Sequence, residues 1–170
     1  MVLVVLLAAC RIERIDPAGS RAAVDPTDSA IVATLDAYYD RFSRRAWHEF
    51  RESFWPGALI ATRWQAPGAP APGVELVPLD TFLARTAAGP DRLAVFEERM
   101  VRHEIRRYAD LAVVWATFRA TFAMPGAPPE THYGVDAFQL LHDGDAWRIV
   151  SLAFTGEVPG DSLPKDRPVQ

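Results

Sequence analysis

The stretch Leu111–Met124 (LAVVWATFRATFAM) restricts the folds open to this chain more than any other segment. Ala112, Val114, Ala116, Phe118, Ala120 and Phe122 fall on one side of it, and Val113, Trp115, Thr117, Arg119 and Thr121 on the other. A period of two sustained over that length predicts a long strand with one apolar face. Such a strand needs partners on both edges and a layer over its apolar face. Its neighbours supply them. Leu93–Tyr108 alternates in part, with Val95, Val101 and Ile105 sharing a parity, and reaches Leu111 through the turn Tyr108-Ala109-Asp110. After the loop Pro125–Glu130, His132–Leu141 and Ala146–Thr155 form a hairpin across His142-Asp143-Gly144-Asp145, where Asp-Gly is a strong turn signal.

The covering layer comes from earlier in the chain. Ile31, Leu35, Tyr38 and Phe42 are spaced as one helical stripe, with Asp28 as N-cap and Pro26 before it. Trp47, Phe50 and Phe54 predict a second short helix, ended by Pro56-Gly57. Ala58–Trp64 is β-like, residues 65–73 (QAPGAPAPG) are a Pro/Gly loop, and Val74–Val77 can pair back as a short strand. A third helix starts at Asp80 or Thr81, runs through Thr86 and stops at Gly89-Pro90. On this segmentation none of the fourteen prolines sits inside a strand or helix. Helices followed by strands give an α+β fold: a cone-shaped, curved antiparallel sheet wrapped around two to three N-terminal helices, with an internal pocket.

At 170 residues the chain suits one domain. A net charge of −4 with no basic stripe argues against nucleic acid as a partner. One cysteine permits neither an internal disulfide nor a Cys-rich metal site. There is no phosphate-binding glycine loop, serine nucleophile elbow or His-Glu metal spacing, so no metal or cofactor is implied.

Val2–Ala9 is an unbroken apolar run ending Leu7-Ala8-Ala9-Cys10. As a helix it would span about 12 Å, far short of a bilayer core of about 30 Å. It has the size of a signal-peptide apolar region. Leu-Ala-Ala-Cys resembles the bacterial lipoprotein lipobox, which implies cleavage after residue 9 and lipidation of Cys10. The competing reading is a buried strand with Cys10 as a core thiol. No Lys or Arg precedes the run, a departure that a start upstream of Met1 would remove. The expected organisation is residues 1–9 as signal peptide, 10–27 as lipidated Cys and tether, 28–156 as the folded domain and 157–170 as a flexible tail. The expected location is the cell envelope, anchored on the periplasmic or extracellular face of a bacterial membrane.

Val135–Ser151 (VDAFQLLHDGDAWRIVS) resembles the last hairpin of the nuclear transport factor 2-like superfamily, which includes polyketide-cyclase-like, SnoaL-like and ketosteroid-isomerase-like proteins. Ala37-Tyr-Tyr-Asp-Arg-Phe followed by Phe54…Ala58 is similar to its opening, and Tyr108-Ala-Asp-Leu-Ala-Val-Val to its penultimate hairpin. The resemblance covers about residues 28–156 and implies the cone-shaped fold. It leaves function open, since the superfamily holds enzymes, ligand binders and interaction domains.

Asp136 shares a strand face with His132, Phe138 and Leu140, and burial there would raise its pKa. Tyr38, on the helical stripe, also points inward. By the resemblance Tyr38 and Asp136 look like the oxyanion pair of ketosteroid isomerase. Thr62 stands about where that enzyme's carboxylate base belongs, which argues against its reaction. His103 and His132 are the candidate bases for other chemistry, although His132 is about 13 Å from Asp136 along the strand. Trp64, Trp115, Arg119 and Phe138 are candidate ligand contacts, with the Trp115/Arg119 face equally suited to homodimerisation. Arg102, Arg106 and Arg107, interleaved with Glu97, Glu98 and Glu104, read as a solvated ion-pair strand. The leading expectation is an anchored domain holding a small apolar ligand or docking a partner. A cofactor-independent lyase or isomerase using Asp136, Tyr38 and a histidine is the alternative, and a purely structural interaction domain the third. A pocket containing Asp136 and Tyr38 favours the first two. A core filled by Trp47, Phe54, Phe118 and Phe138 favours the last.

Overall fold

The computed structural model describes residues 26–64 and 70–158, together with Gly160 and Leu163. The expected signal peptide, Cys10, nearly all of the tether, much of the Pro/Gly loop and most of the tail lie outside the described residues.

The elements are α1 (Pro26–Ser43), α2 (Trp47–Glu52), β1 (Phe54–Trp64), β2 (Gly73–Pro78), α3 (Leu79–Ala84), β3 (Val95–Tyr108), β4 (Leu111–Ala123), β5 (Glu130–His142) and β6 (Trp147–Gly156), with two short 3₁₀ turns between α3 and β3. The six strands make one curved, unclosed sheet in the order β2-β1-β6-β5-β4-β3. It is mixed, not wholly antiparallel, because β1 runs parallel to β6. The fold is α+β, with α1 lying inside the curl.

Local chemistry sets each boundary. Helix α1 begins at Pro26, two residues before the expected cap, since proline at the first helical position loses no hydrogen bond there. Asp28 in its first turn instead receives Arg107 Nε at 3.2 Å. Ile31, Leu35, Tyr38 and Tyr39 are buried on one face. At the other end the Ser43 hydroxyl donates to the Glu98 carbonyl and accepts the Glu98 N–H, both at 2.8 Å. β3 is an edge strand, and Ser43 satisfies both backbone groups that Glu98 turns toward the helix.

Phe54 opens β1 instead of closing α2, and Pro56-Gly57 lies within the strand. The pairing with β6 slips there: Phe54 faces Ile149, yet Leu59 faces Ser151. Gly57 has φ of 84°, and the bulge tolerates a proline without an N–H. A second bulge interrupts β3 between Met100 and Arg102. A third interrupts β5/β6 at Gln139/Leu140. Bulges sharpen local twist and bend the sheet around α1. The β5–β6 turn follows the Asp-Gly signal: Asp143 Oδ1 accepts the Asp145 and Ala146 N–H groups at 3.0 and 2.9 Å, and Gly144 takes φ of 104°.

The inner face carries Ala112, Val114, Ala116, Phe118 and Ala120 from β4, opposite Leu140, Phe138, Asp136, Gly134 and His132 of β5. Phe118 lies over Gly134, where an added Cβ would come within 2.2 Å of the Phe118 ring and 2.5 Å of the Thr155 carbonyl oxygen. The backbone oxygen cannot retreat as a side chain could. Gly134→Ala is therefore expected to destabilise by at least about 1–3 kcal/mol, a change that chemical denaturation would measure.

Candidate functional site

Between α1 and the inner face of the sheet lies a cavity of about 340 Å³. Helices α1 and α2 contribute Tyr38, Phe42 and Phe50, and α3 contributes Phe82. The strands contribute Ile60, Glu98, Phe118, Phe122, His132, Tyr133, Asp136, Leu152, Phe154 and Gly156. This is a predominantly aromatic wall with two carboxyl groups, at the lower end of the volumes typical of ligand sites.

Asp136 is 2% exposed. Its Oδ2 accepts the Tyr39 hydroxyl at 2.5 Å, a length typical of a charge-assisted bond. Among the described residues no other hydrogen bond reaches this carboxyl, and Asp136 lines the cavity. Burial pushes its pKa up to about 7, and the Tyr39 hydrogen bond holds it back from rising further. Glu98 lines the same cavity; burial and then the Asp136 charge raise its pKa well above the usual carboxylate range. Burial, followed by the charges of Asp136 and Glu98, raises Tyr38 as well. Tyr38 thus remains a neutral phenol. It is 3% exposed and lines the cavity.

Tyr38 and Asp136, the expected pair, line one cavity, and the hydroxyl that bonds the carboxyl is that of Tyr39. Tyr39 stands four residues after Leu35 and Tyr38 three, so both spacings fall on the buried face. Their rings meet edge-on at 4.9 Å, leaving Tyr38 turned to the cavity while Tyr39 holds the carboxyl. Phe138 does not line the cavity; it is fully buried and packs edge-on against Tyr38 and Tyr39 at 5.2 and 6.2 Å. His132 stands at the rim, its side chain 53% exposed and 3.6 Å from Glu130, stacked on Phe122. His103 is on the inner face opposite Ala116 but outside the cavity wall. Trp115 and Arg119 are on the outer face, opposite Ala137 and Tyr133, away from the cavity. Trp64 ends β1, and its side chain lies outside the described residues. Thr62 donates its hydroxyl to the Phe154 carbonyl at 3.0 Å.

Glu98 is the site residue that alternation alone misassigns. The bulge at Val101 shifts the parity of β3, so Phe96, Glu98 and Met100 face inward together with His103 and Ile105. Among the described residues no group of His, Cys, Asp and Glu is placed to hold a metal ion.

The sequence matches no protein-family model and no curated protein. Solved structures do match in fold. A nuclear transport factor 2-like superfamily protein from Salmonella enterica aligns with a TM-score of 0.62 and 13% identity, over 79% of this chain and 96% of that one. A protein assigned as a scytalone dehydratase from Novosphingobium aromaticivorans aligns at 0.62 and 12%, over 83% and 91%. The CaMKII hub from S. rosetta aligns at 0.60 and 15%, over 76% and 95%. The fold is therefore the nuclear transport factor 2-like cone.

Two measurements probe the electrostatics. The raised pKa of Asp136 means that the folded protein binds more protons than the unfolded chain between about pH 4 and 7. Stability is thus greatest at the acid end of that window and falls, by on the order of a few kcal/mol, as pH rises through 7. Urea unfolding at several pH values should show this slope, and Asp136→Asn should remove much of it, the residue being due to Glu98. In a carboxyl NMR titration Tyr39→Phe should raise the Asp136 pKa above its wild-type value, because the hydrogen bond that favours the carboxylate is gone.

Proposed function

We propose that this chain is a lipid-anchored envelope protein whose domain holds a small, mostly apolar ligand in the cavity beneath α1. The observation that carries the binding reading is an aromatic cavity of about 340 Å³ lined also by Asp136, Glu98 and Tyr38. A domain serving only as a scaffold gains nothing from two carboxyl groups on an apolar wall, since burying them is costly. The anchor rests on the apolar run ending Leu7-Ala8-Ala9-Cys10. Acylation of Cys10, with two or more chains, would give stable attachment.

A second reading, a cofactor-independent lyase or isomerase, is favoured by one observation: burial raises the pKa of both carboxyl groups of one cavity, that of Asp136 to about 7. A carboxyl near 7 both donates and accepts protons at working pH. Glu98 would then supply the second carboxyl that position 62 lacks, with Tyr38 polarising a carbonyl. His132, at the rim, is the nearer of the two expected histidines to such a substrate.

The outer face suits a homodimer. Trp115, Ala137, Ala153, Ala61 and Leu76 form one row across five strands, and Trp115 is 55% exposed. Exposed apolar rows of this kind are common at self-association surfaces.

Native mass spectrometry of protein extracted from its own membrane examines all three components. A cavity occupant would appear as a small-molecule adduct lost on Asp136→Trp, which fills the space. Acylation would appear as added mass on a chain beginning at Cys10, and the dimer as a doubled subunit mass. Ligand-free protein from every preparation would count against the binding reading, and an unmodified Cys10 against the anchor.

A further inference from the structure

The acidic groups on the cavity wall are Glu98 and Asp136, and no lysine or arginine lines it. His132 is the one basic side chain there, and it sits at the exposed rim beside Glu130. Aromatic rings make up most of the remaining wall, Tyr38, Phe42, Phe118 and Phe154 among them. Tyr38, Glu98 and Asp136 line this space, and the one side-chain hydrogen bond they make among the described residues is that of the Tyr39 hydroxyl to Asp136 Oδ2.

We propose, on the binding reading above, that the ligand is an organic ammonium ion, an amine cation on an aromatic or aliphatic body. A protonated primary amine carries three N–H donors and no acceptor. Ionised Glu98 and Asp136 are acceptors only, and the Tyr38 oxygen can accept a third bond, so donor and acceptor sets correspond. The rings offer their negative faces to the same charge. An anion would find no positive charge on a wall whose acidic groups are both carboxyls. A neutral alcohol would leave at least one desolvated carboxyl uncompensated.

Charge balance follows. The groups facing Asp136 are Tyr38 and Tyr39 from α1, Glu98 and His103 from β3, and His132 from β5. Entry of a cation favours the ionised form of both acids. The ammonium keeps its proton, and any proton still on Asp136 or Glu98 leaves for solvent, so binding should release protons near neutral pH.

Titration calorimetry of the full-length protein, slightly above neutral pH, distinguishes the ligand classes with three probes of one shape: phenethylammonium, phenethyl alcohol and hydrocinnamate. The expected order is phenethylammonium at least about tenfold tighter than the alcohol, with hydrocinnamate weakest. Repeating the titration in two buffers of different ionisation enthalpy should reveal proton release with the ammonium alone. Glu98→Gln should bring the ammonium and alcohol affinities close to parity, and Tyr38→Phe should narrow the gap by less. An alcohol that matches the ammonium, or a tighter hydrocinnamate, overturns the charge assignment and leaves the cavity reading standing. No binding by any of the three overturns both.

Discussion

The carboxyl of Asp136 sits among aromatic rings with one protein hydrogen bond, from the Tyr39 hydroxyl. Removing a carboxylate from water is costly, and a single hydrogen bond does not compensate it. The protein meets this cost partly by letting the carboxyl hold its proton up to about pH 7. The rest falls to the packing around it. Ile31, Leu35 and both tyrosines seat α1 against the sheet, while Phe138 closes the floor beneath the tyrosine rings. Phe118 crosses Gly134 to wall off one side. The architecture around the cavity can thus be understood as what keeps an unfavourable group in place.

Glu98 makes the arrangement harder to explain by stability alone. Burial and the neighbouring Asp136 charge both raise its pKa, so an apolar residue at position 98 would remove an electrostatic cost. Its backbone is nevertheless tied down by Ser43, which fixes α1 to the edge strand at that residue. Perturbed acids in a cleft occur at sites that act on, or hold, another molecule.

Much of the architecture was legible because the strands are long and regular. The alternation of Leu111–Met124 assigns its inner and outer faces without a neighbour in view, and the same parity places Asp136 inward. The expected cone and its likeness to nuclear transport factor 2-like proteins agree with the structure and its neighbours in fold. What escaped sequence reading lies where regularity breaks. Val101 is an inserted residue in β3, and counting through it turns Glu98 outward onto a solvated ladder when it faces the cavity. Pro56-Gly57 looked like a terminator and is a bulge inside β1. Tyr39 was hidden by its neighbour, since positions three and four residues after Leu35 both belong to the buried face. The parallel pairing of β1 with β6 carries no local signature, because it joins the two ends of the domain.

Alternation also gives the sheet two independent faces. Along β4 the even-numbered residues reach the core and cavity, and on the opposite face Val113 and Trp115 meet solvent while Thr117 is covered. The row from Trp115 to Leu76 is built largely from alanines, flat enough to accept another surface without changing the backbone beneath it. A partner seated there would touch neither Asp136 nor Glu98. Because a strand's two faces share only their backbone, assembly on the outside and chemistry on the inside can vary separately. A fold of this kind does not fix a function, and the assignment of this chain has to come from the acids and rings inside it.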